Sequence, residues 1–427
     1  MLLSDSKSTR LSGMMFLQYA IWGAWLPVTA RYLSATIEQG GLGFSGSQIG
    51  MILGLAGSIG AIASPFIAGQ IADRYFNTER ILAFLVTAGG IIKWITALQT
   101  EYMAWLILSI IYSVLYMPTL ALSNSITFAH INDQENNFPK IRVWGTIGWI
   151  ASSWLFPMIW LQTNLEFQIL PPFVVGSEVA NVTGRLADAL KFSGIISIVY
   201  GAYCFLLPQT PPKRDAIENL AFKKAFQLFR LSSFTVLVIS SLLVSIIHQI
   251  YFLQTGPFLS HIGILDSQIG PAMTIGQFAE IITMAYLGFF LKRFGFHRLI
   301  SIGIIAYALR YAIFGTTFLP VWVVILSQAL HGFCYAFFFA AAYIYVDKLA
   351  DDDVKHSAQT VFGIIILGGG PVIGGWLSGF LQSTYTTGSV FDFSIFWYTL
   401  SAIGLITAII FFFLFKEQLK NIKEIQI

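Results

Sequence analysis

The segment GQFAE at 276–280 sets a glutamine and a glutamate three residues apart inside a long apolar run. On a helix that spacing puts Gln277 and Glu280 on one face, one turn apart. The pair can grip hydroxyl groups or a base edge, and the carboxylate can take up and release a proton. A charge at mid-bilayer costs about 2.5–3.5 kcal/mol on insertion scales, so such groups usually face a cavity and have work there. The alternative is an interhelical pair between Glu280 and a buried cation. Other apolar runs hold further polar candidates. Arg142, in FPKIRVWGTIGWI, is either a cytoplasmic anchor or a pocket residue. Arg310, in IAYALRYAIFG, lies deeper, where a carboxylate or helix carbonyls would pair it. Lys93, in GGIIKWITALQ, falls near one end of its run and is expected to snorkel. His248 and Gln249 occur in SIIHQIYFLQ, and His331 begins HGFCYAFFF; a histidine here is either a packed, hydrogen-bonded residue or a proton relay. Trp149 and Tyr335 sit beside polar residues, where an aromatic ring either stacks on a planar ligand or packs.

The elements that must position these groups follow from composition. Of 427 residues, 56% are hydrophobic and only 11% charged, with a mean hydropathy of +0.73. A soluble domain carries about 25% charged residues. A membrane-spanning helix needs roughly 20 predominantly apolar residues, and twelve blocks of that kind occur, at 11–34, 47–72, 80–99, 102–126, 142–162, 191–208, 231–254, 267–291, 297–317, 320–346, 357–382 and 392–415. The first is too long for a signal-peptide core and is read as a retained span. Cys204 and Cys334 both fall in apolar blocks, so neither a disulfide framework nor a zinc site is expected. HExxH, Walker and nucleophile-elbow motifs are missing from the sequence, and catalysis is not expected. The acidic run Asp351–Asp353 reads as solvated surface.

Lysine and arginine set the orientation, because loops rich in them stay cytoplasmic. With both termini inside, nineteen of the 24 basic residues lie at cytoplasmic ends; Arg31, Arg185 and Lys191 lie outside, and Lys93 and Arg310 within the membrane. The long basic connection 209–230 divides the chain into similar halves. SQIG opens the second span at 47–50 and the eighth at 267–270, an offset of 220 residues, and GQIADRYF (69–76) takes the place of GFFLKRFG (288–295). Order, offset and topology point to a duplicated six-span unit, the organisation of major facilitator transporters, which bind substrate near the midplane. The repeat also supplies a control: Glu280 maps onto Gly60, so the architecture does not require an acid there. At 1.5 Å per residue, Glu280 lies about 20 Å along its helix from Ser267, near the middle of a hydrocarbon core about 30 Å thick.

GQIADRYFNTER resembles the signature loop of that superfamily, in which Gly69 would allow close packing and Asp73 and Arg74 would form gating contacts. More specifically, FLQYAIWGAWL (16–26), YMPTLALSNSI (116–126) and FPKIRVWGTIGWI (138–150) resemble the bacterial nucleoside:proton symporter family, and HQI, GQFAE, LRYAIFG and HGFCYAFFF fit it more loosely. The resemblance implies a nucleoside site lined by Arg142, Thr146, Trp149, Gln249, Gln277, Glu280 and Tyr335. It moves Arg142 from anchor towards pocket. One departure stands out: members resemble CYDFF in the tenth span, whereas CYAFF here puts Ala336 where the Asp would be. Proton coupling then falls to Glu280 alone, or the ligand or coupling mode differs.

The sequence therefore predicts an all-α polytopic membrane protein of twelve transmembrane helices in two six-helix halves, 1–208 and 231–427, joined by the linker 209–230. It predicts a proton-coupled symporter importing nucleosides across the cytoplasmic membrane by alternating access. The same fold carrying a sugar, glycoside or other hydroxylated metabolite is the alternative; a sensor that binds without transport lacks its usual appended soluble domain. No cofactor, metal or nucleic acid is expected, the partners being substrate, protons and lipid, and the protein is expected to act as a monomer.

Overall fold

The computed structural model describes residues 6–65, 67, 77–132, 134–171, 173–212, 226–350, 355–388 and 390–418. Apolar runs of this length must satisfy their own backbone groups in lipid, and helices do so. The longer helices are α1 (Ser6–Ser34), α2 (Gly46–Pro65), α3 (Thr78–Thr96), α4 (Tyr102–His130), α5 (Gln134–Phe156) and α6 (Asp188–Tyr203). They continue with α7 (Ser232–His261), α8 (Ile275–Ala285), α9 (Leu287–Gly315), α10 (Val321–Leu349), α11 (Ala358–Thr384) and α12 (Phe393–Leu414).

Among the described residues, eight helices are long and apolar enough to cross a membrane. Three further expected spans coincide with α1, α3 and α5, which carry charges such as Arg10, Lys93 and Arg142. The expected span 267–291 is instead built from the short helix Ile269–Met273, then α8, and runs on into α9. The boundary with the next span is a kink at Gly295, whose φ of 71° is the left-handed backbone that glycine adopts without strain. The gating residues Gly69, Asp73 and Arg74 lie outside the described residues, as does the acidic run at 351–353.

Two small hairpins interrupt the helices. β1 (Gln162–Phe167) pairs antiparallel with β2 (Val174–Glu178), with Gln162 opposite Glu178, and a shorter pair joins Thr386–Thr387 to Val390–Phe391. The first hairpin follows the fifth apolar block of the sequence. All of β1 but Gln162 is exposed, so it has no apolar alternation to betray it.

The chain forms two compact units, one of residues 1–216 with 252–271, the other of 217–251 with 272–427. In the first, α1 packs on α5 and α6, while α3 packs on α4 and α6. Gly23 of α1 lies so close to α5 that an added Cβ would come 2.7 Å from the Trp149 Cα, and Gly148 of α5 lies against the Phe16 backbone. Small residues let membrane helices approach to backbone contact. In the second unit, α8 packs on α10, and α9 packs on α10 and α12.

Candidate functional site

The motif RVWGTIGW resolves into two faces of α5. Gly145 and Gly148 meet α1. Arg142, Thr146 and Trp149, at i, i+4 and i+7, form a neighbouring half-buried stripe. The Arg142 guanidinium lies 4.0 Å over the Tyr19 ring of α1, an attraction between a cation and a negative ring face. Trp149 stands edge-on to Trp22 at 5.9 Å and to Phe252 at 6.4 Å. The wall continues through Trp22 to Tyr116, which stacks on Tyr112 at 5.3 Å, while Tyr116 Oη donates to the Gln18 carbonyl and Gln18 Nε2 to Thr119. FLQYAIWGAWL and YMPTL are thus the two sides of one aromatic and amide-lined surface.

In the second unit, Gln277 is buried and Glu280 half-buried on α8. Their helix is held against α10 by a glycine on each side. Gly276 abuts His331 and the Gln328 carbonyl, and Gly332 lies so close to Ala279 and Glu280 that an added Cβ would come 2.7 Å from the Glu280 nitrogen. The carboxylate therefore rises from a backbone-to-backbone crossing. Gln249 is half-buried on α7, with Gly374 of α11 against its Cβ and Cγ. Tyr335 is half-buried at the start of a wide helical turn, Cys334–Ala340, and its ring faces Phe339 at 6.1 Å. Such turns occur often at functional sites. Ala336, next in the chain, is fully buried.

Arg310 is also fully buried, and among the described residues neither a carboxylate nor a helix carbonyl holds it. Its Nη1 donates to His331 Nδ1 at 3.0 Å, and its guanidinium lies 4.1 Å over Tyr251 and 5.3 Å from the rings of Tyr307 and Tyr311. An arginine can only donate, so His331 Nδ1 is an acceptor here. Tyr307 Oη and His248 Nδ1 share a hydrogen bond of 2.8 Å, and Tyr251 Oη donates to Gln328 Oε1 at 2.9 Å. Both histidines are thus hydrogen-bonded within a cluster that joins α7, α9 and α10.

Lys93 does not snorkel. It is 3% exposed, and its Nζ lies 3.2 Å from the centroid of the Trp25 ring and 4.0 Å from that of Tyr112. Rings contributed by α1 and α4 enclose it, which its depth on α3 alone could not reveal.

The sequence reading missed a cluster in the first unit at the start of the second SQIG. Asp266 accepts from Arg31 Nε at 2.8 Å and from Thr183 Oγ1 at 2.6 Å. Ser267 accepts from Gln162 Nε2 and donates its backbone N–H to Glu178, so the end pair of the β1–β2 hairpin clamps it. The first SQIG only caps its own helix, through a reciprocal Ser45–Gln48 pair. A signal existed: at the repeat offset Asp266 maps onto Gly46, an acid where the twin has none.

Comparison with known proteins gives this geometry its context. The chain is 33% identical to the transporter YegT of Escherichia coli K12, over 98% of this chain and 96% of that one. It is 29% identical to the xanthosine permease of the same organism, over 96% of each. The crystal structure of the nucleoside transporter NupG matches with a TM-score of 0.80 and 26% identity, over 97% of this chain and all of that one. The model of the nucleoside H+ symporter family matches residues 6–420, and the chain belongs to that family of multi-pass membrane transporters.

Proposed function

We propose that this protein imports nucleosides together with protons, with Glu280 as the group that takes up and releases the coupled proton. The observation that carries the reading is the carboxylate itself, half-buried in an apolar helix with Gln277 one turn away, at a position whose repeat twin is Gly60. Membership of the nucleoside H+ symporter family supports the cargo and the coupling ion. Gln249 and Gln277 offer amides to a base edge or ribose hydroxyl. Arg142 and Thr146 add polar contacts, and Trp149 and Tyr335 supply ring faces on which a planar base can stack. The six-span halves 1–208 and 231–427, joined by 209–230, would rock about this site, with Gly69, Asp73 and Arg74 gating the cytoplasmic side and both termini cytoplasmic. A monomer contains every group the cycle requires.

The test is Glu280→Gln in proteoliposomes loaded with uridine. A glutamine keeps the shape and one hydrogen-bonding oxygen but cannot titrate. Uptake driven by an imposed pH gradient is expected to fall at least tenfold, while uridine–uridine exchange without a gradient stays within a few-fold of wild type. Gradient-driven accumulation at the wild-type level, abolished by a protonophore, would overturn the role of Glu280.

A further inference from the structure

The cluster around Arg310 holds more donors than acceptors. Arg310 is fully buried, one of its nitrogens serves His331, and Nε and Nη2 have no hydrogen-bond partner among the described residues. Gln328 is fully buried too; its Oε1 accepts from Tyr251, and its Nε2 has no partner. Both side chains are tied to Tyr251, Arg310 to the ring face and Gln328 to the hydroxyl. Three partnerless donor atoms and one positive charge therefore surround a single tyrosine. A buried donor without an acceptor is destabilising, and more so when it is charged. The Nε/Nη2 edge of a guanidinium offers two parallel N–H groups, the geometry that carboxylates accept bidentately.

Among the described residues of this unit, the carboxylates are Glu280, Asp347, Asp392 and Glu417. Asp347 accepts from Gln359, Asp392 caps α12 through Ile395, and Glu417 lies beyond the end of α12. Only Glu280 lies in mid-helix within an apolar run. Its helix also touches the cluster: Gly276 abuts His331 and Gln328, and Gly332 abuts Glu280. Gly276 and Glu280, at i and i+4, share the face of α8 turned to α10, and a helical side chain leans back over the preceding turn.

We propose that the Nε/Nη2 edge of Arg310 is a carboxylate site, which receives Glu280 in the arrangement of the transport cycle where that residue has released its proton. The proposal rests on Glu280 as the coupling acid. Arg310 then sets the energy at which the proton leaves, because an ion pair favours the deprotonated form. It also compensates for Ala336, since one carboxylate with a cation can alternate between two states without a second acid. The other titratable groups around Arg310 are His331 and Cys334 on α10, His248 and Tyr251 on α7, and Tyr307 and Tyr311 on α9.

The experiment is uridine exchange in proteoliposomes without a pH gradient, measured across pH for wild type, Glu280→Gln, Arg310→Gln, Arg310→Lys and the double variant Glu280→Gln/Arg310→Gln. Losing the cation should move the midpoint of the Glu280-dependent profile alkaline by about one pH unit or more. Arg310→Lys keeps the charge but not the fork and should move it less. In the Glu280→Gln background, Arg310→Gln should shift nothing further. An unchanged midpoint in Arg310→Gln overturns the proposal. If that variant cannot be recovered from membranes, an unchanged midpoint in Arg310→Met, which fills similar space without a charge, does so. A dissolved anion is the other source of an acceptor: if methanesulfonate in place of chloride moves the wild-type midpoint, and the Arg310→Gln shift survives in Glu280→Gln, the carboxylate assignment falls. If Glu280→Gln alone keeps the wild-type profile and accumulation, the coupling role of Glu280 has failed, a different result from an unmoved Arg310 variant.

Discussion

Among the described residues two lysine or arginine cations are buried, one in each unit, and they are held differently. Lys93 rests between the faces of Trp25 and Tyr112. Arg310 lies over Tyr251 but also binds His331 and keeps two nitrogens without partners. Both depend on ring quadrupoles, and no ion pair is made by either among the described residues. What separates them is direction. An ammonium is a compact charge that rotates to suit its surroundings, whereas a guanidinium presents a fixed fork. A compact charge in an aromatic box is a packing solution. A fixed fork with unmet donors marks a place where another group arrives.

The largest effect expected from this contrast lies in the lysine box. Trp25 is buried and carries Lys93 at the shorter of its two ring distances. Trp25→Ala removes the ring and opens a cavity, a change that typically costs about 3–5 kcal/mol. Thermal unfolding in detergent should show it as a large drop in midpoint. A loss below about 1 kcal/mol would mean that the charge is carried by something other than that ring.

A matched pair of tyrosines gives a smaller and sharper test. Tyr251 Oη donates to Gln328, whose amide nitrogen already has no partner. Tyr251→Phe keeps the ring under Arg310 but leaves a buried amide unmet at both ends, at about 1–3 kcal/mol. Among the described residues the hydroxyl of Tyr112 has only the Trp25 indole N–H near it, short of a full hydrogen bond. Tyr112→Phe should stay within about 0.5 kcal/mol of wild type. Equal costs for the two variants, in the same unfolding assay, would break the distinction between a packed cation and a networked one.

The same contrast explains what could be read from the sequence. Gln277 and Glu280 were legible because both signals are local, a charge in an apolar run and a helical spacing. The RxWGTIG stretch was legible as a resemblance, but its division into packing glycines and a polar stripe needed the facing backbone of Phe16 and Gly23. Depth along a helix does not give burial: Lys93 was expected to reach the interface, and two other helices close over it. Asp266 is bound to Arg31 across 235 residues, a distance no local pattern spans. The repeat still marked it, since both Asp266 and Glu280 stand where the first copy has glycine.

Lys93→Met carries a small expected effect and the clearest meaning. Methionine keeps most of the stem and removes only the charge. A desolvated cation–π contact contributes about 2 kcal/mol, and taking an ammonium out of water costs several. The two changes oppose each other, so stability should move by about 1 kcal/mol or less, in either direction. The pH profile of uridine exchange should not move at all, because the rings that hold Lys93, Trp25 and Tyr112, are not groups of the proposed site. A shifted midpoint in Lys93→Met would sink the structural reading and give the first unit a titrating cation of its own. An unmoved midpoint beside a shifted one in Arg310→Gln would show that burial alone does not make a cation functional, and that unmet, directed donors do.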